Sequence, residues 1–262
     1  MRSYARALIT GASGGIGRGF AERLPGATDL LLTGRNAERL EAVAARVAKP
    51  GRLVKTIEAD LTRDADRDRL IEAAEAFGID LLINNAGAGR FGRLLDNPPE
   101  AERAAVLVNV VSVVDLTRRL LPGMLQRART ARRRAGVIVV ASTAAFTPVP
   151  FLATYAATKA FDLQFAEALA EELHDEPADV LALCPGVTRT RFDAGPMFTP
   201  GNVPGAADPG DVAAQGLAAL GRQTVYVAGL LNQATLGPVV LPRRLISSAV
   251  GMAMRLVAGR SC

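Results

Sequence analysis

The chain has 262 residues, 49% of them apolar and 22% charged, with 31 Lys and Arg against 26 Asp and Glu and a net charge of +5. Such a composition buries a full core and excludes a disordered or fibrous chain. One histidine, His174, and two cysteines, Cys184 and Cys262, exclude a histidine-rich metal centre, a disulfide framework and any Ser-His-Asp site not built on His174.

Short runs rich in Val, Ile and Leu alternate with segments of helical period. Strands are predicted at 6–10, 29–33, 52–59, 80–84, 136–142, 178–184 and 223–228. Helices are predicted from about Gly15, over 36–48, through "RDRLIEAAEAF", from Pro98 to about Arg129, and over 154–173. Another precedes the seventh strand, with Asp208 as N-cap and Pro209 in its first position. Continuous apolar strands, each followed by a helix, predict an α/β fold: a doubly wound parallel sheet of about seven strands in a single domain. In that architecture ligands bind beyond the carboxyl ends of the strands. The Gly- and Pro-rich stretch 187–207 follows the sixth strand and reads as a lid over a substrate. Residues 239–262 read as an amphipathic helical extension, packed on the body, completing an oligomer contact or lying on a membrane surface.

The basic excess reflects an Arg-rich composition. In "RARTARRR" (127–134) five arginines fall in eight residues near a helix C-terminus, where the dipole favours cations. Aromatics are 5% of the chain and Trp is absent, so nucleic-acid binding is not expected. No apolar run is long enough to span a membrane, and the N-terminus meets glycines too soon for a signal peptide; a cytoplasmic setting is expected.

The stretch "TGASGGIG" (10–17) admits two readings. Its G-x-S-x-G fits a nucleophile elbow around Ser13, which would need His174 as base. The neighbours of His174 are acidic and mark the solvated end of a helix. Alternatively, Gly11, Gly15 and Gly17 form a phosphate cradle between the first strand and helix, with backbone N–H groups and the helix dipole turned to the anion.

The motifs that follow resemble the short-chain dehydrogenase/reductase family, over roughly residues 4–230. They are the T-G-x-x-x-G-x-G loop, "NNAG" (84–87), Asn109, Ser142, "YAATK" with Tyr155 and Lys159, "CPG" (184–186) and Thr190, in order. The resemblance implies a Rossmann-like fold and a catalytic set of Asn109, Ser142, Tyr155 and Lys159. Asn109 would hold a water in a proton relay, and Lys159 would also bind the nicotinamide ribose. It implies a cofactor seat of Gly11, Ser13, Gly15, Ile16, Gly17, Arg35, Asp60, Leu61, Asn85, Ala86, Gly87, Tyr155, Lys159, Pro185, Gly186, Thr188 and Thr190. It also implies a homo-oligomer through the helices carrying Asn109 and Tyr155.

Four residues separate Tyr155 from Lys159, which places them on one helix face, one turn apart. A nearby ammonium favours the phenolate, so Tyr155 can exchange a proton with an alcohol or carbonyl oxygen. Ser142 can hydrogen-bond the same oxygen, with Thr143 as the alternative hydroxyl. The second strand ends Thr33-Gly34-Arg35 with no carboxylate, so Arg35, assisted by Arg39, suits a 2′-phosphate and NADPH/NADP more than NAD. Gly14 stands where many NADP-binding relatives have a basic residue. Asp60 matches the family contact to the adenine amino group, or caps a helix. The expected activity is interconversion of a ketone or aldehyde with an alcohol, on a small molecule with an apolar portion suggested by Phe192, Met197 and Phe198. A nicotinamide-binding sensor or scaffold is the alternative.

Overall fold

The computed structural model describes residues 3–190, 203–236, 243, 245 and 250. The strands are β1 (Arg6–Thr10), β2 (Asp29–Gly34), β3 (Val54–Glu58), β4 (Leu81–Asn84), β5 (Ala135–Val140), β6 (Ala178–Cys184) and β7 (Val225–Val227). They form one sheet in the order β3-β2-β1-β4-β5-β6-β7, and every pair is parallel. The order reverses between β1 and β4, which opens a crevice at their carboxyl ends.

The helices are α1 (Gly15–Arg23), α2 (Ala37–Val47), α3 (Asp64–Phe77), α4 (Pro99–Val106), α5 (Ser112–Ala131), α6 (Ala153–Glu172) and α7 (Pro209–Ala219). A π-helical turn, Leu107–Val111, joins α4 to α5. Alternate strand residues serve opposite faces: Leu8 of β1 packs under α3, α5 and α6, while Ala7 and Ile9 pack under α1, α2 and α7. Phe20 of α1 is fully buried, worth about 2–3 kcal/mol of apolar transfer.

Local chemistry sets the helix ends. Asn36 caps α2 by accepting from the Arg39 N–H at 2.8 Å, and Asp208 caps α7 by accepting from Gly210 N–H at 2.8 Å. Gly78 ends α3 in the left-handed region at φ 72°. Within the Arg run, Arg127 pairs with Glu75, Arg129 with Glu176 and Arg134 with Asp179. The stretch 187–207 is described only at its ends, where Thr188 bridges Ala207 and Ala207 N–H donates to the Val187 carbonyl at 2.9 Å. Its centre, with Phe192, Met197 and Phe198, and all of the extension 239–262 except residues 243, 245 and 250, lie outside the described residues.

Candidate active site

A cleft of about 460 Å³ runs across the carboxyl ends of the strands. Its walls include Gly11, Ser13, Gly15 and Ile16 of the glycine loop, Asn85, Ala86 and Gly87 after β4, and Pro185, Gly186, Thr188 and Thr190 after β6. Ser142, Thr143, Tyr155 and Lys159 line it as well. Arg35, Arg39 and Leu61 line it on the β2 and β3 side.

The glycine loop is shaped by what its neighbours exclude. Gly11 and Gly15 adopt φ 65° and 53°, in the region that favours glycine. A Cβ on Gly17 would lie 2.4 Å from the Gly11 carbonyl oxygen, so Gly17 lets the first turn of α1 close on the loop from behind. Gly14 meets nothing within 4 Å and faces open space. Bare backbone and the N-terminus of α1 therefore face the cleft, as anion binding requires. Thr10 ties this loop to β4: its hydroxyl accepts from the N–H groups of Asn85 and Ala86, both at 2.9 Å.

The opposite wall is built before any ligand arrives. Ser142 lies two residues beyond β5, not in it, and caps a short 3-10 turn by accepting from the Ala144 N–H at 3.1 Å. That leaves the Ser142 O–H available as a donor. Thr143 lines the same wall beside Ser142. Tyr155 sits in the first turn of α6, and the Lys159 ammonium is 6.0 Å from its ring centroid. Lys159 Nζ donates to the Val140 carbonyl at 2.8 Å and to Asp162 Oδ2 at 2.9 Å. Burial is the strongest single influence on Lys159 and pulls its pKa down; the charge of Asp162, with Tyr155, the Asp162 hydrogen bond and Cys184, together outweigh it, and the pKa stands above the ordinary lysine value. Burial pushes the Asp162 carboxyl up, and Lys159 pulls it back only in part.

Asn109 occupies the π-helical turn and stands behind this wall, fully buried. Its Oδ1 accepts from the Ala88 N–H, and its Nδ2 donates to the Ala88 carbonyl and Thr158 Oγ1, all at 2.8 Å. Both amide N–H bonds are thus spent, and one Oδ1 lone pair is left for a water. Asp60 is no helix cap: Arg63 holds that position for α3. Asp60 Oδ1 instead accepts from Thr62 N–H at 3.0 Å, with Ala59 and Leu61 on either side lining the cleft.

Arg35 and Arg39 are exposed, and among the described residues neither pairs with a carboxylate. His174 is exposed at the far end of α6, roughly 25 Å along the helix from Tyr155. The elbow reading of Ser13 therefore lacks its base, and Ser13 serves the loop. Sequence reasoning missed Thr158, which orients Asn109, and Asp162, which holds Lys159. The spacing Lys-x-x-Asp inside an otherwise apolar helix face was the available signal.

The model of the short chain dehydrogenase family matches residues 5–196. The chain belongs to this family. It is 32% identical, over its whole length, to Dehydrogenase/reductase SDR family member 7B of Bos taurus, 83% of which is covered. It is 34% identical over 186 residues to the very-long-chain 3-oxoacyl-CoA reductase of Pyrenophora tritici-repentis, and spans about half of that protein, 52%, with 68% of this chain aligned. Among solved structures, a short-chain dehydrogenase from Sphingobium yanoikuyae in complex with NADPH superposes with a TM-score of 0.80 at 29% identity, covering 93% of this chain and 94% of that one. The 3-ketoacyl-(acyl-carrier-protein) reductase of Brucella melitensis, complexed with NADH, does so with a TM-score of 0.72 at 30% identity, covering 85% and 96%. The short-chain dehydrogenase found here is accordingly an oxidoreductase that acts on alcohols and carbonyls with a nicotinamide cofactor, which the cradle of bare backbone at Gly11, Gly15 and Gly17 fits.

Proposed function

We propose that this short-chain dehydrogenase is an NADP(H)-dependent oxidoreductase that interconverts a ketone or aldehyde with an alcohol, using Tyr155 as general acid and base. The observation that carries the reading is that the glycine cradle and the Ser142–Tyr155–Lys159 wall line one continuous cleft. A nicotinamide cofactor bound in this cleft would supply or accept the hydride at the carbonyl carbon. In reduction Tyr155 gives its proton to the substrate oxygen, and in oxidation it takes one. The free O–H of Ser142 holds that oxygen beside Tyr155. The Lys159 ammonium, one turn below, stabilises the phenolate that forms and offers its remaining N–H to the ribose.

The preference for NADPH rests on the end of β2. No carboxylate follows Thr33 and Gly34 there, and the exposed guanidiniums of Arg35 and Arg39 line the cleft beside the glycine loop. A guanidinium fork matches a 2′-phosphate. Leu152 and Val187 line the cleft near the catalytic wall, which supports a substrate with an apolar portion. The same reading includes a homo-oligomer through α5 and α6, supported by the stacked pair Phe161 and Phe165 on α6, of which Phe161 is 36% exposed.

Titration with NADPH and with NADH, followed by cofactor fluorescence, tests the cofactor. Tight binding of NADPH and weak binding of NADH is expected; a preference for NADH would remove Arg35 as the selector. A panel of ketones and aldehydes then tests the reaction, with Tyr155→Phe as the control that binds cofactor but does not turn over.

A further inference from the structure

Asp162 lies one turn beyond Lys159 on α6 and takes no part in the chemistry above. Its side chain is 1% exposed. Oδ2 accepts from Lys159 Nζ at 2.9 Å, while the buried Oδ1 has no hydrogen-bond partner among the described residues. Its neighbours along the helix, Leu163 and Ala166, are core residues, so an apolar side chain would satisfy the packing. Replacing a buried ion pair by apolar groups is often neutral or stabilising, so stability is a poor reason for a carboxylate here.

The geometry gives a better one. Lys159 Nζ is held from behind by the Val140 carbonyl and Asp162, which leaves one of its three N–H groups for the cleft it lines. A Cβ on Gly87 would sit 3.7 Å from this nitrogen, so bare backbone lies directly across from it. We propose that Asp162 is a positioning residue of this active site, anchoring the Lys159 ammonium one turn from Tyr155 and keeping it there as a cation. Its consequence for turnover rests on the catalytic reading of Tyr155 and Lys159; the anchoring itself does not.

Charged and titratable groups around the ammonium support this. Tyr155 and Asp162 act on it from α6, and Cys184 from β6. Burial pushes the Cys184 thiol up to about 12, so it stays neutral. Glu167 and Arg243 pair with each other and act on Cys184. Without Asp162, the ammonium would keep one carbonyl and lose the anion that offsets its burial.

The chain makes the test direct, because its lysines are Lys49, Lys55 and Lys159, and the first two are exposed. Full-length protein labelled at lysine Cε is titrated by NMR from about pH 6 to 11. In the parent, the Lys159 resonance is expected to titrate above the ordinary lysine value. In Asp162→Asn it is expected to move down by about one pH unit or more, and Asp162→Glu should restore it. Asp162→Leu removes the charge without leaving a buried amide, and serves if the Asn variant fails to fold. A parent Lys159 resonance that titrates at or below the ordinary lysine value overturns the proposal without any variant. So does a resonance that stays in place in Asp162→Asn or Asp162→Leu.

A kinetic arm separates this inference from the function it draws on. The pH profile of alcohol oxidation with NADP should shift in the neutral variants and return in Asp162→Glu. A lysine resonance that moves while the profile stays would keep the anchor and remove Lys159 from catalysis. A profile that moves while the resonance stays would overturn the anchor.

Discussion

The two ends of the cleft are built differently. At the β2 end, Arg35 and Arg39 stand in solvent, and among the described residues neither has a carboxylate partner. At the β5–α6 end, Lys159 and Asn109 are buried and bonded to the fold before anything binds. The contrast separates two tasks. Recognition of a charged cofactor needs groups free to meet it, whereas proton transfer needs groups already in place. Substitutions at the β2 end should therefore change binding and spare stability, while those at the α6 end should change turnover, stability or both.

The sharpest break is Tyr155→Phe. The hydroxyl is removed and the ring kept, so cofactor affinity and folding should stay while turnover falls by about 10³-fold, within the range for a lost general acid. Steady-state kinetics beside a fluorescence titration read the two apart, and retained turnover would remove Tyr155 from the chemistry. Lys159→Met should strike both properties. It leaves Asp162 buried without its counter-ion, at a cost of about 3 kcal/mol in urea unfolding at pH 7. Because the folded Lys159 pKa is raised, the stability it contributes is full at neutral pH. That contribution is lost only as pH climbs past the ordinary lysine range through the folded value. An unfolding midpoint equal to the parent's at pH 7 would show that the pair carries no such coupling.

How far the sequence foretold this depended on whether the signal was local. β1 and β6 appear at their predicted limits, because unbroken Val, Leu and Ile runs bounded by turns leave little choice. The glycines of the loop and the Tyr-Lys spacing placed those groups in the cleft, since a turn and one helical repeat fix their geometry. β5 was drawn two residues too long, to Ser142, because an apolar run does not show where hydrogen bonding stops and a 3-10 cap begins. The π-helical turn at Leu107–Val111 was unreadable, as nothing in a continuous helical pattern marks it; it carries Asn109, whose partners Ala88 and Thr158 are distant in sequence. Asp162 carried a trace of itself, an acidic residue on an apolar face, but its meaning needed the burial of Lys159.

Smaller effects test the other end. Arg35→Ala should weaken NADPH about tenfold, near 1.4 kcal/mol, and leave NADH affinity and unfolding unchanged. Competition titrations of both cofactors read this difference. An equal loss for NADH would mean that Arg35 supports the loop and does not select the phosphate, and the contrast between the two ends would narrow.

The smallest effect lies behind the glycine loop. Asp208 caps α7, whose first turn packs on α1 so closely that a Cβ on Gly19 would meet the Pro209 carbonyl oxygen at 2.6 Å. Burial is the strongest single influence on the Asp208 pKa and raises it, but hydrogen bonds from the Gly210 and Asp211 N–H groups, with Arg189, together hold it below the ordinary carboxylate value. The ion pair with Arg189 is half exposed on both sides and contributes little. Asp208→Ala should therefore cost what a lost cap costs, about 1 kcal/mol at pH 7. A depressed folded pKa means that this stability is full above the ordinary Asp value, near 3.9, and is lost as pH falls through the folded one. The gap between parent and variant in urea should accordingly close under acid. Unchanged NADPH affinity in the same variant would assign the cap to the scaffold; weaker binding would show that α7 helps hold the cradle in shape.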